Sequence, residues 1–253
     1  MSNRHDFSEV FVPADPIPVG SRSGDLVHVI RITGADPVTG HMPDGIEAQL
    51  HNAFANMQAS VENAGGTLSN IAQVSLFLAD ARSAMPSVNA QWVATFPDDK
   101  DRPTYKFMAS SLPVGHLVNI EYFAVRGGQR RVVNIAGVAH TNPIPMAVRT
   151  GDYLFSSRVL PMDPTTGEYP TDVTIQMKML FGNLASVLSE AGMAWSDVVQ
   201  GRLFIADMAN LAMVEAHWAS LFPKPEARPL LHPIRYSVAP TLLVMLEIIA
   251  VKN

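Results

Sequence analysis

Two arginines and two glutamates recur in this chain at one spacing. Arg102 precedes Glu121 by 19 residues, and Arg228 precedes Glu247 by the same interval (121 − 102 = 247 − 228 = 19). A guanidinium fork matches a carboxylate in two parallel N–H···O bonds, so an arginine at a pocket can clamp a small acid. A glutamate on a neighbouring strand can orient a water or pair with the arginine. The other reading makes Arg102 and Arg228 surface loop residues and puts Glu121 and Glu247 in structural ion pairs. A second pair, Arg31 and Arg158, lies mid-strand in apolar runs. A buried guanidinium must be paired, either with an acidic side chain or with a ligand. The chain has no cysteine, hence no disulfide framework and no thiolate nucleophile. Its eight histidines show no H-x-x-x-H or similar metal-ligand spacing. His28, His51, His116, His140, His217 and His232 read as ordinary polar positions, with His116 or His232, near turns, able to supply a base. Ser156-Ser157 lacks a G-x-S-x-G context and does not read as a nucleophile.

The paired spacing belongs to a larger repeat. Pro16, Ile17, Pro18, Arg22, Gly24, Asp25, Arg31, Asp36, Pro37, Thr39 and Gly40 return as Pro143, Ile144, Pro145, Arg149, Gly151, Asp152, Arg158, Asp163, Pro164, Thr166 and Gly167. Each pair is 127 residues apart (143 − 16 = 127). Leu76-Phe77 and Ala79-Asp80 return at the same offset. Trp92, Phe96, Arg102-Pro103 and Glu121 return at 126, so one residue is deleted between the blocks. The chain is a duplicated domain, with copies at 1–126 and 132–253 and a Gly- and Arg-rich linker at 127–131. Each copy is long enough to bury a core of its own.

The elements that must position these residues follow from periodicity. Residues 25–32 form an apolar, β-branched run bounded by Gly24 and Gly34, which predicts a strand. In 46–64 the apolar residues Ile46, Leu50, Phe54, Met57 and Val61 keep helical spacing, and Gly65-Gly66 stops the helix. A strand is expected at 71–78, a shorter helix at about 83–96, and strands at 105–110 and 117–125. The second copy repeats the order, its main helix carrying Met177, Leu180, Leu184 and Leu188 before Gly192. Trp92 and Trp218 read as core. The predicted fold class is α+β, each copy a mixed sheet with two helices on one face. Residues 117–125 and 242–251 are largely apolar on both faces, so the face without helices needs cover from another domain or subunit.

Composition narrows the partners. Apolar residues make up 47% and charged residues 16%, with a net charge of −5 and no basic block, which argues against nucleic acid. No run approaches the ~20 apolar residues of a membrane helix, and the N-terminus lacks a signal peptide's apolar core, so a soluble, cytoplasmic protein is expected.

With the repeat defined, each copy resembles the RidA/YjgF family of small trimeric enamine/imine deaminases. The features are G-D-L-V (24–27) and G-D-Y-L-F-S-S (151–157), D-P-V-T-G (36–40) and D-P-T-T-G-E (163–168), L-F-L-A-D (76–80) and L-F-I-A-D-M (203–208), S-V-N-A-Q-W (87–92), and L-P…L-V-N-I-E (112–121). The resemblance implies tandem chorismate-mutase-like domains, trimeric association with pockets between neighbouring domains, and chemistry without metal or cofactor. It implies hydrolysis of an enamine or imine of a small carboxylate, the acid held by an arginine and a water directed to the imine carbon. It makes Asn89 a pocket residue, with Glu215 as its counterpart.

The chain departs from the family pattern at the pocket. Thr104 stands at the family's arginine position, and Arg102 lies two residues earlier. The family's inner glutamate is Asn119 in the first copy and Met245 in the second, and methionine does no acid–base work. The pocket tyrosine falls on Ile17 and Ile144. Arg31 and Arg158 stand in the family's S-G-Q-I-P stretch. The catalytic candidates are therefore Glu121, Asn119 and Glu247, and the substrate-binding candidates are Arg102, Arg228, Arg31, Arg158 and Asn89. Two functions follow: a divergent hydrolytic deaminase, or a binding or regulatory module that kept the pocket and lost the chemistry. A ribonuclease is disfavoured by the negative charge.

Overall fold

The computed structural model describes residues 19–236 and 239–252. The lead-in at 1–14 and the repeat residues Pro16, Ile17 and Pro18 lie outside the described residues. The chain forms two compact units. The first runs up to Arg131 and takes in Asn142–Ile144; the second comprises Val132–Thr141 and the chain from Pro145 onward.

The first unit contains β1 (Gly20–Ser23), β2 (Leu26–Thr33), α1 (Ile46–Asn63), β3 (Ile71–Leu78), α2 (Ala81–Thr95), β4 (Thr104–Ala109) and β5 (Val118–Val125). Its sheet has the order β1-β2-β5-β3-β4. The β3–β4 pair is parallel, as a strand–helix–strand crossover requires, and the other pairs are antiparallel. The second sheet contains β6 (Arg130–Val133), β7 (Ala147–Thr150), β8 (Tyr153–Ser156), β9 (Val198–Ile205), β10 (Leu230–Arg235) and β11 (Val244–Val251). Its order is β10-β9-β11-β8-β7-β6. Without β6 it is the first sheet again. The helices α3 (Val173–Glu190) and α4 (Leu211–Leu221) stand where α1 and α2 stand. The α+β architecture and the duplication expected from the sequence are both present. The short hairpin strands β1 and β7 were not expected, because GSRS and AVRT are too short for their pattern to show.

In each unit one sheet face meets the helices. Val118, Ile120, Tyr122 and Ala124 of β5 share a core with Leu50, Phe54, Met57 and Val61 of α1 and with Val88 and Trp92 of α2. Leu246, Ile248 and Ala250 of β11 pack likewise with Leu180, Leu184, Leu188 and Trp218. Gly65 and Gly192 take positive φ just past α1 and α3, the left-handed turn that ends a helix at low cost.

Buried amides repeat as faithfully as the apolar residues. Gln49 donates to the carbonyls of Pro43 and Gly115 and accepts from the Leu117 amide. Gln176 does the same with Pro170, Thr241 and Leu243. Asn56 donates to the carbonyls of Thr33 and Ala35, and Asn183 to those of Leu160 and Met162. These bonds fasten the chain that leaves β2 and β8 onto the main helix of each unit.

Within the stretch 127–131, Arg130 is held by its own contacts. The Arg130 guanidinium donates to the carbonyls of Leu68 and Ile71 at 2.6 and 2.8 Å and pairs with Asp101 at 2.8 Å.

Candidate functional site

Strand alternation sends every second residue of β5 away from the helices: Asn119, Glu121 and Phe123. On β3, Ser75 lies opposite Glu121 on one side and opposite Lys106 of β4 on the other. Ser75 donates to the Glu121 carboxylate at 3.2 Å. His28 of β2 lies opposite Phe123 and stacks on its ring, 4.1 Å between centroids and 8° from parallel. Burial pushes the His28 pKa down, Glu121 pulls it up, and Lys106 adds to the depression. The His28 Nε2 and Asn119 Oδ1 atoms are buried without a hydrogen-bond partner among the described residues. Buried polar atoms are nearly always paired, so two orphans flanking a carboxylate mark a polar site.

The second copy builds the same face with different chemistry. Arg202 replaces Ser75 and pairs with Glu247 at 2.8 Å. Arg158 lies over the rings of Phe204 and Tyr236, 4.0 and 5.1 Å from their centroids. Burial pushes the Arg158 pKa down, opposed by the Glu247 charge and by Tyr236. Met245 occupies the place of Asn119. The face thus carries Arg158, Arg202, Glu247, Phe204 and Tyr236.

Arg31 and Arg158 are not at regular mid-strand positions. The β2–β5 ladder passes from Val29↔Tyr122 to Ile32↔Ile120, three steps against two. The ladder of β8 with β11 passes from Phe155↔Ile249 to the bridge Val159↔Leu246, four steps against three. Each copy therefore has a one-residue bulge at the same place, with an arginine in it. Bulges re-aim side chains beside functional sites. Arg31 takes a φ of 60°, rare outside glycine, asparagine and aspartate, and it is the one such residue among those described.

Arg102 and Arg228 are placed as equivalents, but against the backbone. Arg102 donates through Nε to the Phe96 carbonyl at 2.7 Å and through Nη2 to that of Pro97 at 2.9 Å. Arg228 donates through Nε to the Phe222 carbonyl at 2.8 Å. Both meet carbonyls at the C-terminal ends of α2 and α4, where a cation is favourable. Arg102→Ala is expected to destabilise the protein by about 1.5–3 kcal/mol, the scale of a hydrogen bond from a charged group. A urea midpoint equal to that of the wild type would rule out this locking role. Asn89 is tethered too: its side-chain carbonyl accepts from the Tyr105 hydroxyl, and its amide donates to Asn142 at 3.1 Å.

Sequence reading missed Lys106, His28, Arg202 and Tyr236. The signal for Arg202 was present, since it is the repeat counterpart of Ser75 and register opposes it to Glu247. An open groove of about 570 Å³ beside α3, lined by Asn134, Pro164, Asn183, Ser186 and Glu190 among others, contains none of the site candidates. Among the described residues no three His, Asp or Glu side chains cluster to hold a metal, and no helix is long and apolar enough to cross a membrane.

A protein with two mixed sheets, each backed by two helices and carrying a glutamate on its other face, is a tandem α+β protein. The endoribonuclease L-PSP family model matches it twice, over residues 19–126 and 137–252. The chain belongs to that family, the RidA/YjgF family of the resemblance, as a tandem duplicate. It is 30% identical over 113 residues to a RutC family protein of Pyrococcus abyssi, covering 44% of this chain and 87% of the relative. It is 29% identical over 89 residues to the Escherichia coli 2-iminobutanoate/2-iminopropanoate deaminase, covering 35% and 70%. The match to a Haemophilus influenzae RutC family protein, 30% identical over 84 residues, takes in 33% of this chain and spans 65% of the relative's length. Among solved structures, yeast Mmf1 is 20% identical with a TM-score of 0.45, covering 49% of this chain and all of that one. Escherichia coli TdcF with bound serine is 25% identical with a TM-score of 0.44, covering 49% and 99%.

Proposed function

We propose that the protein is a divergent hydrolytic deaminase acting on the enamine or imine form of a small carboxylate metabolite, without metal or cofactor. The observation that carries this reading is Glu121 flanked by the orphan polar atoms of Asn119 and His28. Glu121 orients the water, with Asn119 beside it on the same face of β5. In the second copy Glu247 is the corresponding acid. The carboxylate of the substrate is read by the bulge arginines, Arg31 and Arg158. Arg102, Arg228 and Asn89 are the remaining binding candidates, each already bonded within its unit. The name of the Escherichia coli relative supports an imine of a short 2-oxo acid as substrate class. The test is ammonia release from 2-aminoacrylate generated in situ, with an unsaturated amino dicarboxylate alongside. Release above the uncatalysed rate is expected.

The alternative is a non-catalytic small-anion-binding or regulatory module. Met245 and the Arg202–Glu247 pair favour it for the second copy. Saturable binding of pyruvate with no ammonia release from either substrate would select it.

The proposed assembly is a cytoplasmic homotrimer of two-domain chains, with copies at 1–126 and 132–253. Phe123 and Ile249 lie half-buried on strand faces turned away from the helices, and an apolar sheet face is usually covered by closed symmetry. Light scattering is expected to give about 82 kDa, three times the 27.4 kDa chain. A monomer of 27.4 kDa at micromolar concentration would exclude it.

A further inference from the structure

The second bulge is fastened by side chains that the first lacks. Ser156 accepts from the Ile248 amide at 2.8 Å and donates to the Ser157 carbonyl at 2.7 Å, filling the gap where the ladder breaks. The Ser157 amide and hydroxyl both reach the Met146 carbonyl, each at 2.9 Å. The His140 Nε2 stands 2.6 Å from the Ser157 hydroxyl. In the first copy the backbone bond survives, from the Ile30 amide to the Val19 carbonyl at 2.7 Å. The hydroxyls do not survive, because Val29 and Ile30 replace Ser156 and Ser157.

The proton count selects one arrangement. A carbonyl only accepts, and a serine hydroxyl has one proton. With that proton on the Met146 carbonyl, the second contact is a hydrogen bond only if Nε2–H donates to Ser157. That tautomer makes both contacts hydrogen bonds, whereas the other makes only one. The chain His140 to Ser157 to Met146 then pins the bulge from the side of the chain that precedes β7. The residue after Ser157 is Arg158, whose Cζ lies 4.0 Å from the centroid of Phe204 and 5.1 Å from that of Tyr236. Its fork carries five N–H donors, Tyr236 takes a hydrogen bond from it, and the Glu247 charge favours its cationic form.

We propose that His140 is a positioning residue for the second copy's anion site, acting through Ser157 to fix the direction of Arg158. Arg158 as substrate-binding arginine rests on the function proposed above; the positioning itself does not. The consequence is a division between the copies. The second presents a locked arginine suited to one carboxylate geometry, and the first presents Arg31 on a bulge without this clasp.

The decisive measurement is the Arg158 Nε–H resonance of the full chain, assigned by its loss in Arg158→Lys. His140→Ala is expected to shift or broaden it, and His140→Gln, whose side-chain amide can still donate to Ser157, is expected to restore it. Ser157→Ala, which leaves the ring in place, is expected to act like His140→Ala and serves if that variant does not fold. An unchanged resonance in the folded variants overturns the proposal whether or not the protein is a deaminase. If pyruvate binds and Arg158→Lys weakens that binding, His140→Ala is expected to raise the Kd about tenfold, and an unchanged Kd in the folded variant also overturns the proposal. Absence of ammonia release in the wild type counts against the proposed function and leaves the resonance to decide the positioning.

Discussion

Glu121→Gln is expected to lower ammonia release by roughly 10²-fold or more, the typical contribution of a positioned acid–base group. The variant keeps the shape of the side chain and an acceptor for Ser75, now 3.2 Å away. The same substitution at the repeat counterpart should behave differently. Glu247 is buried and paired with Arg202 at 2.8 Å, and Arg158 also feels its charge. Removing one member of a buried ion pair leaves a charge uncompensated, at a cost of about 3–5 kcal/mol. Glu247→Gln should therefore lose stability first, with ammonia release per folded molecule falling by less than in Glu121→Gln. Rates and urea midpoints for the two variants separate the cases. Equal loss of rate in both, with stability unchanged, would mean that both copies are catalytic alike and that the Arg202 pairing is incidental.

That contrast shows why the sequence disclosed the fold better than the site. Helical spacing at Leu50, Phe54, Met57 and Val61 and the glycine stop at Gly65 are local signals, and local structure followed them. The duplication amplified them, since each element was seen twice. Arg31 and Arg158 were legible as arginines in apolar runs, but the bulge that aims them was not. A bulge is a register relation between two strands, and no single strand records it. His140 illustrates the same limit. It looked like an ordinary polar residue because its partner, Ser157, is 17 positions away and meets it only through the turn into β7. Arg102 and Arg228 show the limit from the opposite side. Their matched spacing to Glu121 and Glu247 was real, but the spacing preserves contacts to Phe96 and Phe222, which share the repeat. A repeated distance certifies a repeated environment without saying whether that environment is a ligand or the protein's own backbone.

The second large effect is on stability at acid pH. Burial pushes the His140 pKa down to about 4 from an ordinary 6.5. A depressed histidine pKa means that the unfolded chain takes up this proton first on acidification. Between pH 6.5 and about 4 the unfolded state binds more protons, so stability falls with falling pH across that window and is unaffected by this group above it. A shift of that size corresponds to about 3 kcal/mol when complete. Burial also lowers the pKa of His28 and of the half-buried His217, and both add loss of the same sign. Asp36 and Asp80, held below the usual carboxylate range by hydrogen bonds from their own turns, contribute in the same direction only at lower pH. His140→Gln isolates the main term, because it keeps a donor for Ser157 and removes the titration. The wild type is expected to lose urea stability steadily from pH 6.5 to 4.5, and the variant to lose clearly less over the same range. Parallel curves for the two proteins would show that His140 is not buried as a neutral ring, and the clasp on the second bulge would have to be redrawn with a charged imidazolium donating to Ser157.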